Sequence, residues 1–144
     1  MNTSTLVIDT NWVLDLWVFD DPHATRLRQA IEQRQVRWLA CAHMRNELER
    51  VLAYPNVQKR LRVHQRDAAQ VLAQFDQYAY LCEPPPSCTA RCKDTDDQVF
   101  IDLAAQHQAP LLSKDLLVLR LKRALQPLGV PVLRHWPPEH PPST

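Results

Sequence analysis

The sequence predicts an α/β domain built on a mostly parallel central sheet. Two observations predict it. Short apolar runs alternate with helical patterns along nearly the whole chain, and the first such run, "LVIDTN" (residues 6–11), passes from apolar to polar within one residue. A strand covered on both faces reads as a continuous apolar run of this kind, and a strand–helix alternation implies parallel pairing. The length of 144 residues fits one domain with a sizeable core. We assign residues 1–136 to that domain and residues 137–144, "PPEHPPST", to a proline-rich tail, extended or disordered.

"TLVID" (residues 5–9) reads as the first strand. "NWVLDLWVF" (11–19) is short and apolar on nearly all sides, a helix packed on the sheet. "HATRLRQAIEQR" (23–34) is a second helix, with Leu27 and Ile31 one turn apart. "VRWLAC" (36–41) is the second strand. "HMRNELERVLAY" (43–54) is a helix stopped by Pro55, and residues 56–62 form a short basic helix. "RDAAQVLAQFDQYA" (66–79) is amphipathic, with Ala68, Leu72, Phe75 and Ala79 on one stripe. "EPPPSCTARCK" (83–93) is a stiff loop. A helix "DDQVFIDLAAQH" (96–107), a strand "APLLS" (109–113), a helix "DLLVLRLKRAL" (115–125) and a strand "VPVLRHW" (130–136) complete the order. With a single glycine, Gly129, helix ends and turns must use Asn, Asp, Ser and the twelve prolines.

Several function classes are excluded by composition. No run approaches the roughly 18–20 apolar residues of a membrane span, and the start "MNTSTLVID" lacks the pattern of a signal peptide. A cytoplasmic location is expected. The four cysteines, Cys41, Cys82, Cys88 and Cys92, contain no CxxC pair and are expected as free thiols rather than zinc ligands or disulfides. Net charge is only +1, yet charge is clustered: "KRLRVHQR" (59–66) and "RLKR" (120–123) are basic, "KDTDD" (93–97) is acidic. Basic rims around an acidic site suit a polyanion handled through a metal ion, and each cluster alone is also what a solvated helix face looks like.

The carboxylates carry the chemistry. In parallel sheets, sites form beyond the carboxyl ends of strands, where Asp9 and Asp115 lie. Both positions also suit helix caps; Asn11 is a second cap candidate that would free Asp9. On a wheel of about 100° per residue, Glu47 sits at the edge of the stripe made by Met44, Leu48, Val51 and Leu52. Asp97 falls in the middle of the apolar face of Phe100, Ile101 and Ala104, where an unpaired charge is costly. Asp102 falls on the opposite side, towards water. Asp94 and Asp96 precede the helix as caps or auxiliary acids, and Asp15 is solvated or paired. Four acids with no matched histidine or thiolate suit hard cations, Mg2+ or Mn2+, and such ions on carboxylates promote attack of water on a phosphodiester.

The chain resembles the PIN-domain nucleases, most closely the VapC-like branch of toxin components of toxin–antitoxin pairs. "VIDTNWVL" looks like the opening strand of that family with its Asp-Thr-Asn, "CAHMRNELERVLAYP" like the helix bearing its glutamate, and "CKDTDDQVFIDLAAQHQAPLLSKDLLVL" like its third and fourth acidic segments. The resemblance covers about residues 5–134. It implies a three-layer α/β/α sandwich, metal-dependent RNA hydrolysis, an antitoxin partner and homodimers. It makes Asp9, Glu47, Asp97 and Asp115 the metal-binding catalytic acids, with Asn11 and Ser113 orienting water or the metal shell. Lys59, Arg60, Arg62, Arg66, Arg120, Lys122 and Arg123 would hold RNA phosphates. Two positions depart from the branch: Thr95 stands where proline is common, and Leu117 where a further aspartate is common, which implies one bound ion at rest. Two rivals stay open. One is a catalytically weak module binding RNA or an antitoxin. The other is a phosphatase of the haloacid-dehalogenase type, whose second aspartate would fall where Asn11 stands.

Overall fold

The structure, a computed structural model, describes residues 4–137; the proline-rich stretch 138–144 lies outside them. Among the described residues five strands form one sheet, every pair parallel: β1 (Ser4–Ile8), β2 (Val36–Cys41), β3 (Ala79–Cys82), β4 (Leu111–Leu112) and β5 (Val132–Leu133), in the order β3-β2-β1-β4-β5. β1 is central, with Leu6, Val7 and Ile8 all buried. That is why its sequence is a continuous apolar run rather than an alternation. The chain lays β2 and β3 on one side of β1 and then β4 and β5 on the other, so the winding direction reverses between β1 and β4. The crevice at such a reversal, beyond the carboxyl ends of the strands, is where an open α/β sheet leaves room for a site.

Among the described residues, eight α-helices cover the sheet in a three-layer α/β/α arrangement: α1 (Thr10–Trp17), α2 (Thr25–Glu32), α3 (Ala42–Leu52), α4 (Pro55–Val63), α5 (Ala68–Tyr78), α6 (Gln98–His107), α7 (Leu116–Leu119) and α8 (Lys122–Leu125). Pro55 does stop α3, and it also serves as the first residue of α4, where its missing N–H costs nothing. α5 starts with a capping box between Asp67 and Gln70. Among the described residues, no helix is long and apolar enough to cross a membrane.

Four expectations need correction. First, β3 has no counterpart in the sequence pattern: "AYLC" is an edge strand whose Tyr80 and Leu81 are exposed, so no buried apolar run marks it. Second, α5 buries Val71 and Phe75, with Leu72, Ala68 and Ala79 only partly covered. Phe75 meets Trp38 edge-on at 5.0 Å, and Trp38 stacks on Trp17 at 5.4 Å, so this aromatic cluster sets which side of α5 faces inward. Third, the helix expected over 115–125 is broken into α7 and α8, with the Leu121 N–H turning back to the Val118 carbonyl. Fourth, β4 and β5 are two residues each. Pro110 and Pro131 lack donors but keep the ladder as acceptors, from the amides of Val7 (2.9 Å) and Leu111 (2.8 Å).

Candidate functional site

The four acids singled out by sequence share one cleft at the crevice. It measures about 240 Å3 and is lined by Asp9, Asn11, Glu47, Asp97 and Asp115, with Thr10, Leu14, Phe19, Tyr54 and Val57 among its walls. Asp9 follows β1, Asp115 follows β4, Glu47 arrives on α3 after β2, and Asp97 sits at the start of α6, which packs on β1 and β4. Neighbouring strands deliver the acids because all of them run the same way.

Asp9 does two jobs. Its Oδ1 accepts from the Trp12 amide at 3.0 Å, so it caps α1 itself. Asn11 lies exposed within the first turn of α1 and does not take the cap. The other oxygen, Oδ2, accepts from Ser113 Oγ at 2.7 Å. Ser113 is completely buried and its hydroxyl also accepts from the Asp115 amide at 3.1 Å, so one side chain ties the ends of β1 and β4 together. Burial pushes the Asp9 pKa up; the bonds from Ser113 and Trp12, and the charge of Lys114, offset part of that rise.

Glu47 is partly buried, and its Oε2 accepts from Thr10 Oγ1 at 3.1 Å. Burial raises its pKa, opposed by the Thr10 bond and reinforced by the nearby charge of Asp96, which is itself exposed. Asp115 caps the short α7 through the Leu117 amide at 2.8 Å. Asp94 accepts from the Asp96 amide at 2.9 Å, which shapes the turn before α6.

Asp97 differs from these. It stands at the N-cap position of α6 but makes no capping bond, and its Oδ2 is buried without any hydrogen-bond partner. Its carboxyl faces that of Asp115, an arrangement that favours a proton on Asp97. Burial first, then Asp115, Asp94 and Asp9, push its pKa up to about 7. Asp94, Asp97 and Asp115 each offer an oxygen within 4.8 Å of the others. An orphaned buried oxygen within a set of hard oxygen donors fits a divalent cation such as Mg2+ or Mn2+. Asp9 and Glu47 line the same cleft outside that tight trio.

The basic residues divide. Lys59 and Arg60 line a second cavity of about 330 Å3 with Val63, and this cavity shares Phe19 and Asn56 with the acidic cleft. The Arg60 guanidinium lies 5.7 Å from the Phe19 ring centroid. Arg62 is exposed on the same helix. Arg66 is occupied elsewhere: it grips Asp20 with two nitrogens (3.0 and 2.9 Å) and also donates to the Trp17 carbonyl at 2.9 Å. Arg120, Lys122 and Arg123 are not drawn into the cleft, and Lys122 lines a separate hollow with Gln126, Gly129, Val130 and Pro131.

Two residues escaped sequence reasoning. Thr10 lies inside the quoted "DTN", yet only the fold brings it to Glu47. Lys114 pairs with Asp15 and lies 5.0 Å from the Trp12 ring centroid, which places a positive charge near Asp9. Asp102 corrects the wheel: it is buried and accepts from the Cys88 amide (3.1 Å) and from Gln98 Nε2 (2.9 Å). The loop before α6 folds over the side that should have faced water. All four cysteines are free thiols.

The family model described as PIN domain matches residues 5–115, a span that includes all four acids. The fold is similar to a chain in the crystal structure of VapBC2 from Rickettsia felis bound to a DNA fragment from their promoter. The TM-score is 0.59 at 11% identity, over 89% of this chain and 96% of that one. No curated protein matches the chain.

Proposed function

The chain belongs to the PIN domain family, a family of nucleases, and on that premise we propose that it is an Mg2+- or Mn2+-dependent endoribonuclease acting as the toxin of a toxin–antitoxin pair. The observation that carries this reading is the buried, unpartnered Oδ2 of Asp97, on a carboxyl that lies beside that of Asp115 in a cleft shared with Asp9 and Glu47. Burial and neighbouring carboxylates disfavour the charged form of Asp97, and a bound cation would remove that cost.

Asp97, Asp115 and Asp94 hold the ion in this reading, with Asp9 as a further anionic wall. A bound divalent ion lowers the pKa of attacking water and stabilises the oxygen that leaves phosphorus. In this reading Glu47, whose pKa is raised by burial and whose carboxylate is held by Thr10, would accept the proton of the attacking water. Ser113 keeps Asp9 and the Asp115 backbone in register, so the acids need little rearrangement. Lys59 and Arg60 hold the phosphates of the strand leaving the cleft, beside Phe19. The toxin role, with an antitoxin partner, draws support from the sequence motifs and from a fold neighbour that is a VapBC2 protein, while a homodimeric assembly is what the family resemblance implies.

The test is cleavage of a mixed RNA pool with Mn2+ by wild type and by Asp97→Asn. The expected result is cleavage by wild type only, with the variant down at least about a thousandfold, roughly 4 kcal/mol of barrier. An inert wild type overturns the nuclease reading, and equal cleavage by both overturns the site.

A further inference from the structure

The other end of the sheet has the opposite chemistry. Where β2 and β3 begin, a cavity of about 280 Å3 is lined by Arg34, Val36, Arg37, Tyr78, Ala79 and Tyr80, with no carboxylate among them. The Arg34 guanidinium lies 5.4 Å from the Tyr78 ring centroid, and its Nη2 donates to the Gln77 carbonyl at 2.9 Å. Tyr78 in turn stacks on buried Trp17 at 6.2 Å, its plane within 5° of parallel. Arg34 therefore rests on a column anchored in the core. Arg37 lies 5.0 Å from the Tyr80 ring centroid. Neither arginine has a carboxylate partner among the described residues.

Each guanidinium carries five donors in a rigid fork. Gln77 accepts one of them, and stacking on tyrosine costs none. The pair is thus held in place while most of its hydrogen-bonding capacity is unspent. A phosphodiester matches that fork with two oxygens, and Tyr80, 56% exposed, offers ring surface to a base. An acidic peptide would use the guanidinium groups but not the ring.

We propose that this ledge is a second docking point for single-stranded RNA, binding the sugar–phosphate backbone away from the acidic cleft and adding affinity for long substrates. It rests on the reading of RNA as substrate. From Arg37 to Cys41, β2 takes four steps, on the order of 13 Å at the usual rise. A dinucleotide seated in the cleft does not reach the ledge. A longer strand reaches it around the edge formed by β3.

The experiment compares wild type, Arg37→Gln, Arg37→Lys and the double variant Arg34→Gln/Arg37→Gln. Binding of a fluorescein-labelled long single-stranded RNA is followed by anisotropy in EDTA, and cleavage of that RNA and of a dinucleotide is followed with Mn2+. Arg37 rests on the surface ring of Tyr80, so its single variants keep the fold testable if the double variant melts early. The double variant is expected to bind long RNA about tenfold more weakly and to lower the salt slope by about 0.7 for each phosphate it no longer holds. Its kcat/KM on long RNA falls, its dinucleotide cleavage is unchanged, and Arg37→Lys lies between wild type and Arg37→Gln. Unchanged affinity and slope overturn the proposal, as does preferential binding of a polyglutamate peptide over RNA. If the ledge variants weaken RNA binding but wild type never cuts RNA, the nuclease reading fails and the ledge stands. If wild type cuts RNA and the ledge variants bind it as tightly as wild type, the ledge fails and the nuclease reading stands.

Discussion

Asp20 and Asp97 are both aspartates partly withdrawn from water, and their surroundings treat them in opposite ways. Asp20 sits in a left-handed turn (φ 49°) between α1 and α2. Burial raises its pKa, but the hydrogen bond and charge of Arg66, with the charges of Arg28 and His64, bring it below the ordinary value. The charged groups acting on Asp97 are all carboxylates, and its pKa rises to about 7. The cost of burying a charge is met within the chain at one site and left outstanding at the other. An outstanding cost is the physical mark of a place meant for something the chain does not itself contain.

The contrast breaks most visibly at Arg66. Replacing it with Ala leaves Asp20 partly buried without its two-nitrogen grip and should cost about 2–3 kcal/mol in urea or thermal unfolding. Cleavage per folded molecule should be retained. Retained stability would mean that Arg28 and His64 alone satisfy Asp20.

The converse is expected at the cleft. Without metal, Asp97→Asn should stabilise the protein at neutral pH by about 1–2 kcal/mol, less than its full shift implies because the cleft is open to solvent. The pH dependence has opposite signs at the two sites. Asp97 is raised in the folded state, so its stabilising contribution is present below the ordinary carboxyl pKa and lost as pH rises towards about 7. Asp20 is lowered, so its contribution is present above the ordinary carboxyl pKa and lost in acid. Metal-free wild type should therefore lose stability relative to Asp97→Asn as pH rises from the ordinary carboxyl range to about 7, a difference that calorimetry in EDTA reads directly. Added Mn2+ should raise the melting temperature of wild type and leave the variant nearly unmoved. Parallel pH curves would show that Asp97 is already paired in solution.

The smallest effect belongs to Asp102, satisfied by neutral donors from Cys88 and Gln98. Both donors reach the one oxygen Oδ1, so Asp102→Asn can keep both bonds but loses the charge that strengthens them. It should cost about 1 kcal/mol, read as a lower denaturation midpoint with no change in metal response. A changed metal response would place Asp102 with the site acids rather than with the scaffold.

Much of this is legible in the chain itself. The buried run "LVI" identifies β1, and the polar residue after it marks the end of the strand where Asp9 stands. The stripe of Met44, Leu48 and Leu52 orients α3 and leaves Glu47 at its edge. Asp97 stands out because a carboxylate on an apolar helix face conflicts with its own neighbours. All of these are local patterns, a continuous apolar run for the strand and a period of 3.6 residues for the helices. The order of strands and helices follows from the same patterns, and parallel pairing follows from that order.

Tertiary structure decided the rest, because satisfaction of a polar group depends on what distant segments bring to it. Asp97 and Asp102 lie on one short stretch, and the wheel alone assigns Asp102 to water. A loop folding back over α6 supplies a donor to Asp102 and none to Asp97 Oδ2. Ser113 bridging two strand ends 104 residues apart in sequence, Arg66 drawn away to Asp20, and two arginines stacked at the amino end of the sheet carry no local signature. Local pattern accounts for most of the elements, β3 and the break between α7 and α8 excepted, and for where the acids stand along them; which charges found partners was settled only in the packed chain, since burial and hydrogen bonding are properties of the neighbours a residue acquires.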